Sequence, residues 1–336
     1  MNSHQVIFKK KPAIIIVTTG GTINMAKDLA QKDNIENISI VEKISRFKTI
    51  NELASIGIIE FSNIASPNMN PNDWLNLSKM VDELIHREHV AGVIITHGTD
   101  TMAEAAFFLD LTIKTKKPIV FAGSQRLISE VDSDGLRNIT NAVRQIVSGK
   151  FIGLGVTINF NHYVSFARHA RKTHTYNVQG FDSSEFGYAG FIDADTEVLL
   201  KRPLQHLALS KPKKLAKVAI LKFFPGIDDA IIRFLIEKNY KGIVIEGSGS
   251  GNVNASLYNG IKHAIRKGLV IVISTGVKTG RTMPIYEFPG GGKSLQKLGV
   301  VSSGSLSAEK SMILLQIALA SIREHTKLQS YFNECI

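Results

Sequence analysis

The chain has 336 residues, 44% of them hydrophobic, and a formal charge of +11 from 40 basic and 29 acidic side chains. That length accommodates two domains, each with its own core. Its apolar runs fall short of the roughly 20 residues that span a bilayer, the basic, polar start has no apolar signal core, and the lone cysteine, Cys335, excludes internal disulfides. The expectation is a cytoplasmic protein that does not enter membranes, with Cys335 an inert thiol at a mobile end.

Hydrophobic periodicity predicts strands at residues 14–18 and 56–61, then a helix at 71–86 with Trp74, Leu77, Met80, Val81 and Leu84 along one face. A strand at 91–96 precedes a helix at 101–111, which opens on the capping-box pattern Thr101-Met102-Ala103-Glu104. A strand at 118–122 and a helix at 136–147 continue the rhythm. Alternating βαβ units imply a mainly parallel sheet with helices on both faces. Residues 151–198 change to short, alternating, glycine-punctuated pieces, read as β-hairpins appended to the same domain.

Lys201, Arg202, Lys211, Lys213, Lys214 and Lys217 then follow with no acid among them, beside Pro203 and Pro212. This reads as a solvated basic linker. No aromatic residues interleave to stack bases, so no nucleic-acid partner is expected. The charge suits steering of an anionic or zwitterionic small molecule. A second α/β unit follows: strand 218–223, helix 228–237, strand 242–246, helix 255–266, strand 270–274 and a closing helix at 307–322. The expected architecture is therefore two α/β domains with mainly parallel sheets. A larger N-terminal domain (1–200) with a β-hairpin region is joined by the linker (201–217) to a smaller C-terminal domain (218–336).

Two strands end alike. One runs into Thr18-Thr19-Gly20-Gly21-Thr22-Ile23, the other into Thr96-His97-Gly98-Thr99-Asp100-Thr101. Ligands of open α/β sheets bind outside the carboxyl ends of the strands. A threonine hydroxyl is a weak nucleophile unless a neighbour takes its proton. Asp100 adjoins Thr99, and Lys172 lies in the polar run Arg168-His169-Ala170-Arg171-Lys172-Thr173-His174 of the hairpin region. A lysine base near neutral pH needs its pKa lowered by about 3 units, about 4 kcal/mol. An adjoining carboxylate opposes that, so Thr99, Asp100 and Lys172 are expected to act as one coupled unit.

Other chemistries lack their residues. Gly20-Gly21 has no third glycine at dinucleotide spacing, no phosphate loop of the Gly-x-x-x-x-Gly-Lys-Ser/Thr type occurs, and the histidines form no His-Glu-x-x-His pair. No metal and no cofactor are expected, and His97 reads as a core residue. Gly247-Ser248-Gly249-Ser250-Gly251 follows Glu246 and lacks a lysine, which suits a close-approach loop for a small ligand or a partner subunit more than a phosphate cradle.

Taken together, these segments resemble the bacterial-type L-asparaginases, the family that includes the asparaginase-glutaminases. Thr19-Gly20-Gly21-Thr22-Ile23 and His97-Gly98-Thr99-Asp100-Thr101 are its two signatures. Ser66-Pro67-Asn68-Met69, Gly123-Ser124-Gln125-Arg126, Ser133-Asp134-Gly135, Lys172-Thr173-His174, Gly249-Ser250-Gly251-Asn252 and Ser303-Gly304-Ser305-Leu306 fall in order between and after them.

The resemblance implies hydrolysis of L-asparagine to L-aspartate and ammonia through a threonine acyl-enzyme, with some glutaminase activity. Thr22 matches the nucleophile, and Thr99, Asp100 and Lys172 match the second cluster. Ser66 and Asp100 match groups that hold the α-carboxylate and α-amino ends. Gly21, Gly98 and Ala122 match main-chain contacts, with N–H groups near Thr99 and Ala122 stabilising the oxyanion. Asn252 and Glu287 match residues that enter a neighbouring subunit's site, which implies a homodimer or homotetramer.

The chain also departs from the pattern. Residues 24–37 hold no tyrosine, Pro67 stands where many secreted members have a glutamine, and Gly290-Gly291-Gly292 adds a turn after Glu287. Two other readings share these residues. An ammonia-releasing subunit of a tRNA-dependent amidotransferase is expected to carry an extra N-terminal β domain, for which the strand at Ile14 starts too early. A non-catalytic amino-acid-binding protein would keep the pocket without turnover.

Overall fold

The computed structural model describes residues 11–27, 35–37, 48–321 and 327–335. The chain divides into two compact units, Met1–Leu109 with Lys114–Leu204, and Asp110–Ile113 with Gln205–Ile336.

The first unit is built on an eight-stranded sheet. In chain order its elements begin with β1 (Ala13–Thr18), a small antiparallel pair β2 (Met25–Lys27) and β3 (Ile35–Asn37), helix α1 (Lys48–Leu53) and β4 (Ser55–Glu60). Next come α2 (Pro71–Ile85), β5 (Val90–Thr96), α3 (Met102–Thr112), β6 (Ile119–Ala122) and α4 (Gly135–Val147). The hairpin region supplies β7 (Val156–Phe160), β8 (Tyr163–Phe166), β9 (Arg171–Lys172), β10 (Phe181–Asp182), β11 (Gly190–Ile192) and β12 (Glu197–Leu199).

The sheet order is β12-β11-β8-β7-β6-β5-β1-β4. From β4 to β7 the neighbours are parallel; β8, β11 and β12 extend one edge with antiparallel pairs. The central strands are apolar on both faces, as two-sided cover requires. Ile14, Ile16, Ile94 and Val120 pack with Ile139 and Val143 of α4. Helix α3 is buried nearly all round, from Met102 through Phe107, Phe108 and Leu111, because its sequence offers no polar face. Helix α2 starts where predicted. Asn70 accepts from Asn72 N, Asp73 accepts from Asn70 N, and Pro71 occupies the first helical position.

The second unit carries β13 (Val218–Lys222), α5 (Ala230–Glu237), β14 (Gly242–Gly247), α6 (Ala255–Arg266), β15 (Val270–Thr275), α7 (Gly292–Lys297), β16 (Val301–Ser302), α8 (Ala308–Ser321) and α9 (Leu328–Glu334). Its strands form a parallel sheet in sequential order. The helix expected to close the chain is therefore followed by another. Leu328 and Phe332 of α9 are buried, and Cys335 beside them is 2% exposed. The thiol is packed inside, not carried on a loose end, because α9 supplies apolar anchors that the polar letters around them conceal.

Candidate active site

Strand order places the site before any side chain is considered. From β1 the chain goes to β4 on one flank, then crosses to β5 on the other. This reversal makes the crevice between β1 and β5 a topological switch point, where loops diverge and leave room for a ligand. The two strands run parallel and in register, Ile16 opposite Ile94 and Thr18 opposite Thr96. Their carboxyl ends therefore release the two glycine-threonine loops side by side. Thr19 continues the pairing, its N–H and hydroxyl both donating to Thr96 O at 3.1 and 3.0 Å.

Glycine is required where the loops touch. Gly20 and Gly21 have φ of 104° and 87°, a region costly for other residues. A Cβ on Gly21 would lie 2.3 Å from Gly98 Cα, and one on Gly98 would lie 2.7 Å from Ser66 Oγ. The loops bearing Thr22 and Thr99 thus meet backbone to backbone, and the Ser66 side chain packs directly on Gly98. Thr101 Oγ1 donates to Ser66 O at 2.9 Å and ties the Ser66 turn to the Thr99 loop. Thr22 opens a 3₁₀ turn, half-buried, while its neighbours Ile23 and Asn24 are buried and hold the turn down.

Lys172 reaches this edge from β9, which pairs with β10 through Lys172 opposite Phe181. Phe181 is buried and its ring lies 4.8 Å from that of Phe160, so the hairpin is anchored to β7. Lys172 Nζ donates to Thr99 Oγ1 at 2.8 Å and to Asp100 Oδ1 at 2.6 Å, across 73 and 72 residues of chain. Thr99 Oγ1 in turn donates to Gln125 Oε1 at 3.3 Å. Thr99 is buried, whereas Asp100 is largely open to solvent and available to a ligand.

Gln125 and Asp134 join this cluster through hydrogen bonds; both lie in segments that carry the family resemblance, although the sequence assigned neither of them a role. Asp134, fully buried, accepts from Gln125 N, Arg126 N and Asn138 Nδ2. That fixes the segment after β6. Gln125 then spans from Thr99 to His174 O, and Arg126 donates to Tyr176 O while stacking on the Tyr176 ring at 3.7 Å. The signal was visible as polar residues directly after an apolar strand, but their partners lie on distant segments.

Ala122 ends β6, opposite Thr96, and its carbonyl accepts from His97 N at 3.0 Å. His97 is fully buried, with Nδ1 2.8 Å from Gly98 O. Burial pushes its pKa down to about 4, against a smaller upward pull from Gly98 O. It is a neutral core histidine that braces the Gly98 loop.

Asn252 and Glu287 lie in the second unit. Asn252 closes the loop after β14, bridging to Ser248 and accepting from Gly292 N at 3.3 Å. Glu287 is exposed and its carboxyl lies below the usual range, chiefly through its hydrogen bond to Lys293. Residues 28–34 of the tyrosine-free stretch 24–37 lie outside the described residues. Among the described residues no cluster of His, Cys, Asp and Glu fit to hold a metal occurs, and no helix is long and apolar enough to cross a membrane.

Fold and site together define an α/β protein with a Thr–Asp–Lys cluster at the switch point of a parallel sheet. Comparison with known proteins makes the class specific. A family model described as "Asparaginase, N-terminal" matches residues 13–205, and one described as "Glutaminase/Asparaginase C-terminal domain" matches residues 217–332. The chain belongs to the asparaginase family.

It is 33% identical over 331 residues to L-asparaginase 2 of Escherichia coli K12, covering 96% of this chain and 93% of that one. A crystal structure of a probable cytoplasmic L-asparaginase from Campylobacter jejuni superposes with a TM-score of 0.88 at 34% identity, covering 96% and 99% of the two chains. A glutamyl-tRNA(Gln) amidotransferase subunit of Methanosarcina mazei is 29% identical over 334 residues, 96% of this chain and 77% of that protein.

Proposed function

We propose that the protein is an L-asparaginase, an amidohydrolase that converts L-asparagine to L-aspartate and ammonia. The family supports the reaction. The observation that carries the site is Lys172 Nζ lying within hydrogen-bond distance of both Thr99 and Asp100, beside a Gly21–Gly98 contact that brings Thr22 to the same edge. The amidotransferase reading is not favoured, because its relative is 29% identical against 33% for the Escherichia coli asparaginase, and the match covers 77% of it against 93%.

In this reading Thr22 Oγ attacks the side-chain amide carbon and forms a C–O bond as its proton leaves. The C–N bond then breaks, the nitrogen takes a proton, and ammonia departs. Water attacks the resulting ester. Thr99, Lys172 and Asp100 hold and relay the proton in the step, and Thr22 recovers its own as aspartate leaves. Main-chain N–H groups near Thr99 and Ala122 meet the oxyanion, a contact worth about 3–4 kcal/mol where one such donor is removed. Ser66 and Asp100 hold the two α-substituents, with main-chain contacts from Gly21 and Gly98. Both arise from segments held rigid by the contacts around Gly98 and Thr101.

The working unit is a dimer or tetramer in which Asn252 and Glu287 complete a neighbouring subunit's site. Glu287 is flanked by Ile285, Tyr286 and Phe288, all about half exposed in the single chain. An apolar loop left in water around a functional carboxylate is what a subunit contact would cover. The cellular site of action is the cytoplasm.

Ammonia release from L-asparagine and L-glutamine, measured side by side, tests the reaction. Thr22→Ala and Thr99→Ala should each abolish it, and wild-type turnover in both would overturn these roles. Mixing and refolding Thr22→Ala with Asn252→Ala tests the shared site. Activity should reappear in mixed oligomers, and none would return if each subunit works alone.

A further inference from the structure

The second unit holds a cavity of about 260 Å³ that the hydrolysis of asparagine does not use. It opens at the carboxyl edge of the parallel sheet, where Ser250 follows β14, Ile273 lies in the last half of β15, Thr282 follows β15 and Ser302 ends β16. This is the edge at which open α/β sheets take ligands. We propose that the cavity is a second ligand site, built for a small organic anion of the carboxylate or dicarboxylate class.

Its lining is one-sided in charge. Arg281 contributes a guanidinium, and no aspartate, glutamate or lysine lines the cavity. Among the described residues Arg281 has no ion pair or hydrogen bond from its side chain. A guanidinium presents a planar fork of donors that matches a carboxylate. The hydroxyls of Thr282 and Ser302 and the carboxamides of Gln296, Gln329 and Asn333 supply the remaining polar side chains of the lining. Ser250 Oγ is out of contact with solvent and has no partner. An unpaired cation on the wall of a cavity that holds no acid is an arrangement that an anionic ligand would complete. With no acid present, a cationic ligand would find no counter-charge.

The walls are set in advance. Gln329 clamps the Ser302 main chain, accepting from Ser302 N at 2.8 Å and donating to Ser302 O at 3.1 Å. Thr282 and Ser302 share a hydroxyl–hydroxyl bond of 2.6 Å, Thr282 N donates to Gly304 O, and Met283 N donates to Ser250 O. A pocket already held in shape loses little freedom on binding. Its volume leaves room for a molecule of a few carbons. Ser250 belongs to the glycine-rich loop that the sequence marked for a small ligand or a partner subunit, and Met283, Pro284 and Gly292 lie on the segment that carries Glu287.

Calorimetric titration of the full-length protein with succinate tests this, with putrescine as the cationic control. Wild type should bind succinate and not putrescine. Arg281→Gln should weaken succinate at least about tenfold, the loss expected for one charge-assisted bond. Arg281→Lys should restore part of it, and Ser66→Ala should leave this binding intact. Arg281 is exposed, so folding should be unchanged; if Arg281→Gln nevertheless melts early, Ser250→Val serves in its place. The proposal fails if succinate does not bind, if Arg281→Gln binds it like wild type, or if Ser66→Ala alone abolishes binding. Ammonia release from asparagine is the separate readout. Its absence in wild type would overturn the amidohydrolase and leave succinate binding as a distinct result.

Discussion

Gly98→Ala isolates what the glycine at the loop contact does. A Cβ there would sit 2.7 Å from Ser66 Oγ, 2.8 Å from Ser66 Cβ and 3.3 Å from Gly21 Cα. The shortfall from an ordinary 3.4 Å contact is about 0.7 Å, and it cannot be relieved by rotating a long side chain, because the crowded atoms belong to a serine and to backbone. Ser66 or the Thr22 loop must move. Overpacking of this kind costs about 1–3 kcal/mol of stability. A displacement near 1 Å at reacting groups costs about 100-fold in rate, or about 2.7 kcal/mol of transition-state stabilisation.

Gly149→Ala is the matched control. Gly149 has φ of 67° with nothing within 4 Å of a new Cβ, so it takes backbone strain of about 1–2 kcal/mol without steric conflict. Urea unfolding and kcat/KM for L-asparagine should therefore separate the two variants. Both lose stability, and only Gly98→Ala loses about 100-fold in kcat/KM. A Gly98→Ala enzyme with wild-type kcat/KM would show that the contact between the two loops does not set the position of Thr22 and Ser66.

Lys172→Met should lower kcat by about 10²–10⁴-fold with little change in melting temperature, as loss of a proton-transfer group predicts; an unchanged kcat would remove Lys172 from the chemistry. Asp134→Ala leaves Gln125 N, Arg126 N and Asn138 Nδ2 without their shared acceptor, and should cost at least about 3 kcal/mol in urea unfolding along with activity. His97 stays neutral in the fold down to a pKa of about 4, whereas the unfolded chain takes up its proton near pH 6.5. Its contribution is complete above that pH and drains as pH falls towards 4, with about 2 kcal/mol gone by pH 5. His97→Gln does not titrate, so the stability gap between wild type and this variant should narrow by that amount from pH 7 to pH 5, and a constant gap would refute the assignment.

The sheet core was legible because buried parallel strands write themselves as unbroken apolar runs. Ile14-Ile15-Ile16-Val17 and Val93-Ile94-Ile95 needed no context. The two glycine-threonine loops were legible for a related reason, since glycine alone tolerates the φ of 104° and 87° at Gly20 and Gly21 and fits the space between Gly98 and Ser66. Local spacing could not reveal contacts made at long range. Asp134 reads as an ordinary turn residue until its three donors are seen. Helix α9 reads as a polar tail until Leu328 and Phe332 are found buried. Lys172 was identified as a partner of Asp100, yet its position depends on Phe181 packing against Phe160, an aromatic contact 21 residues apart that no periodicity announces.

Register explains why so few letters suffice for the site. Parallel strands cannot slip by one residue without turning every buried side chain to the opposite face. Thr18 is locked opposite Thr96 by the same hydrogen bonds that bury Ile16 and Ile94. The separation between the Thr22 and Thr99 loops is thus inherited from the core, and the loops need only be short and glycine-rich to keep it. Lys172 has no such inheritance. It arrives on a two-residue strand held by Phe181 and by the segment that Asp134 anchors. Changes that loosen this hairpin should therefore act on Lys172 first, and lower kcat before they raise KM through the binding roles proposed for Ser66 and Asp100.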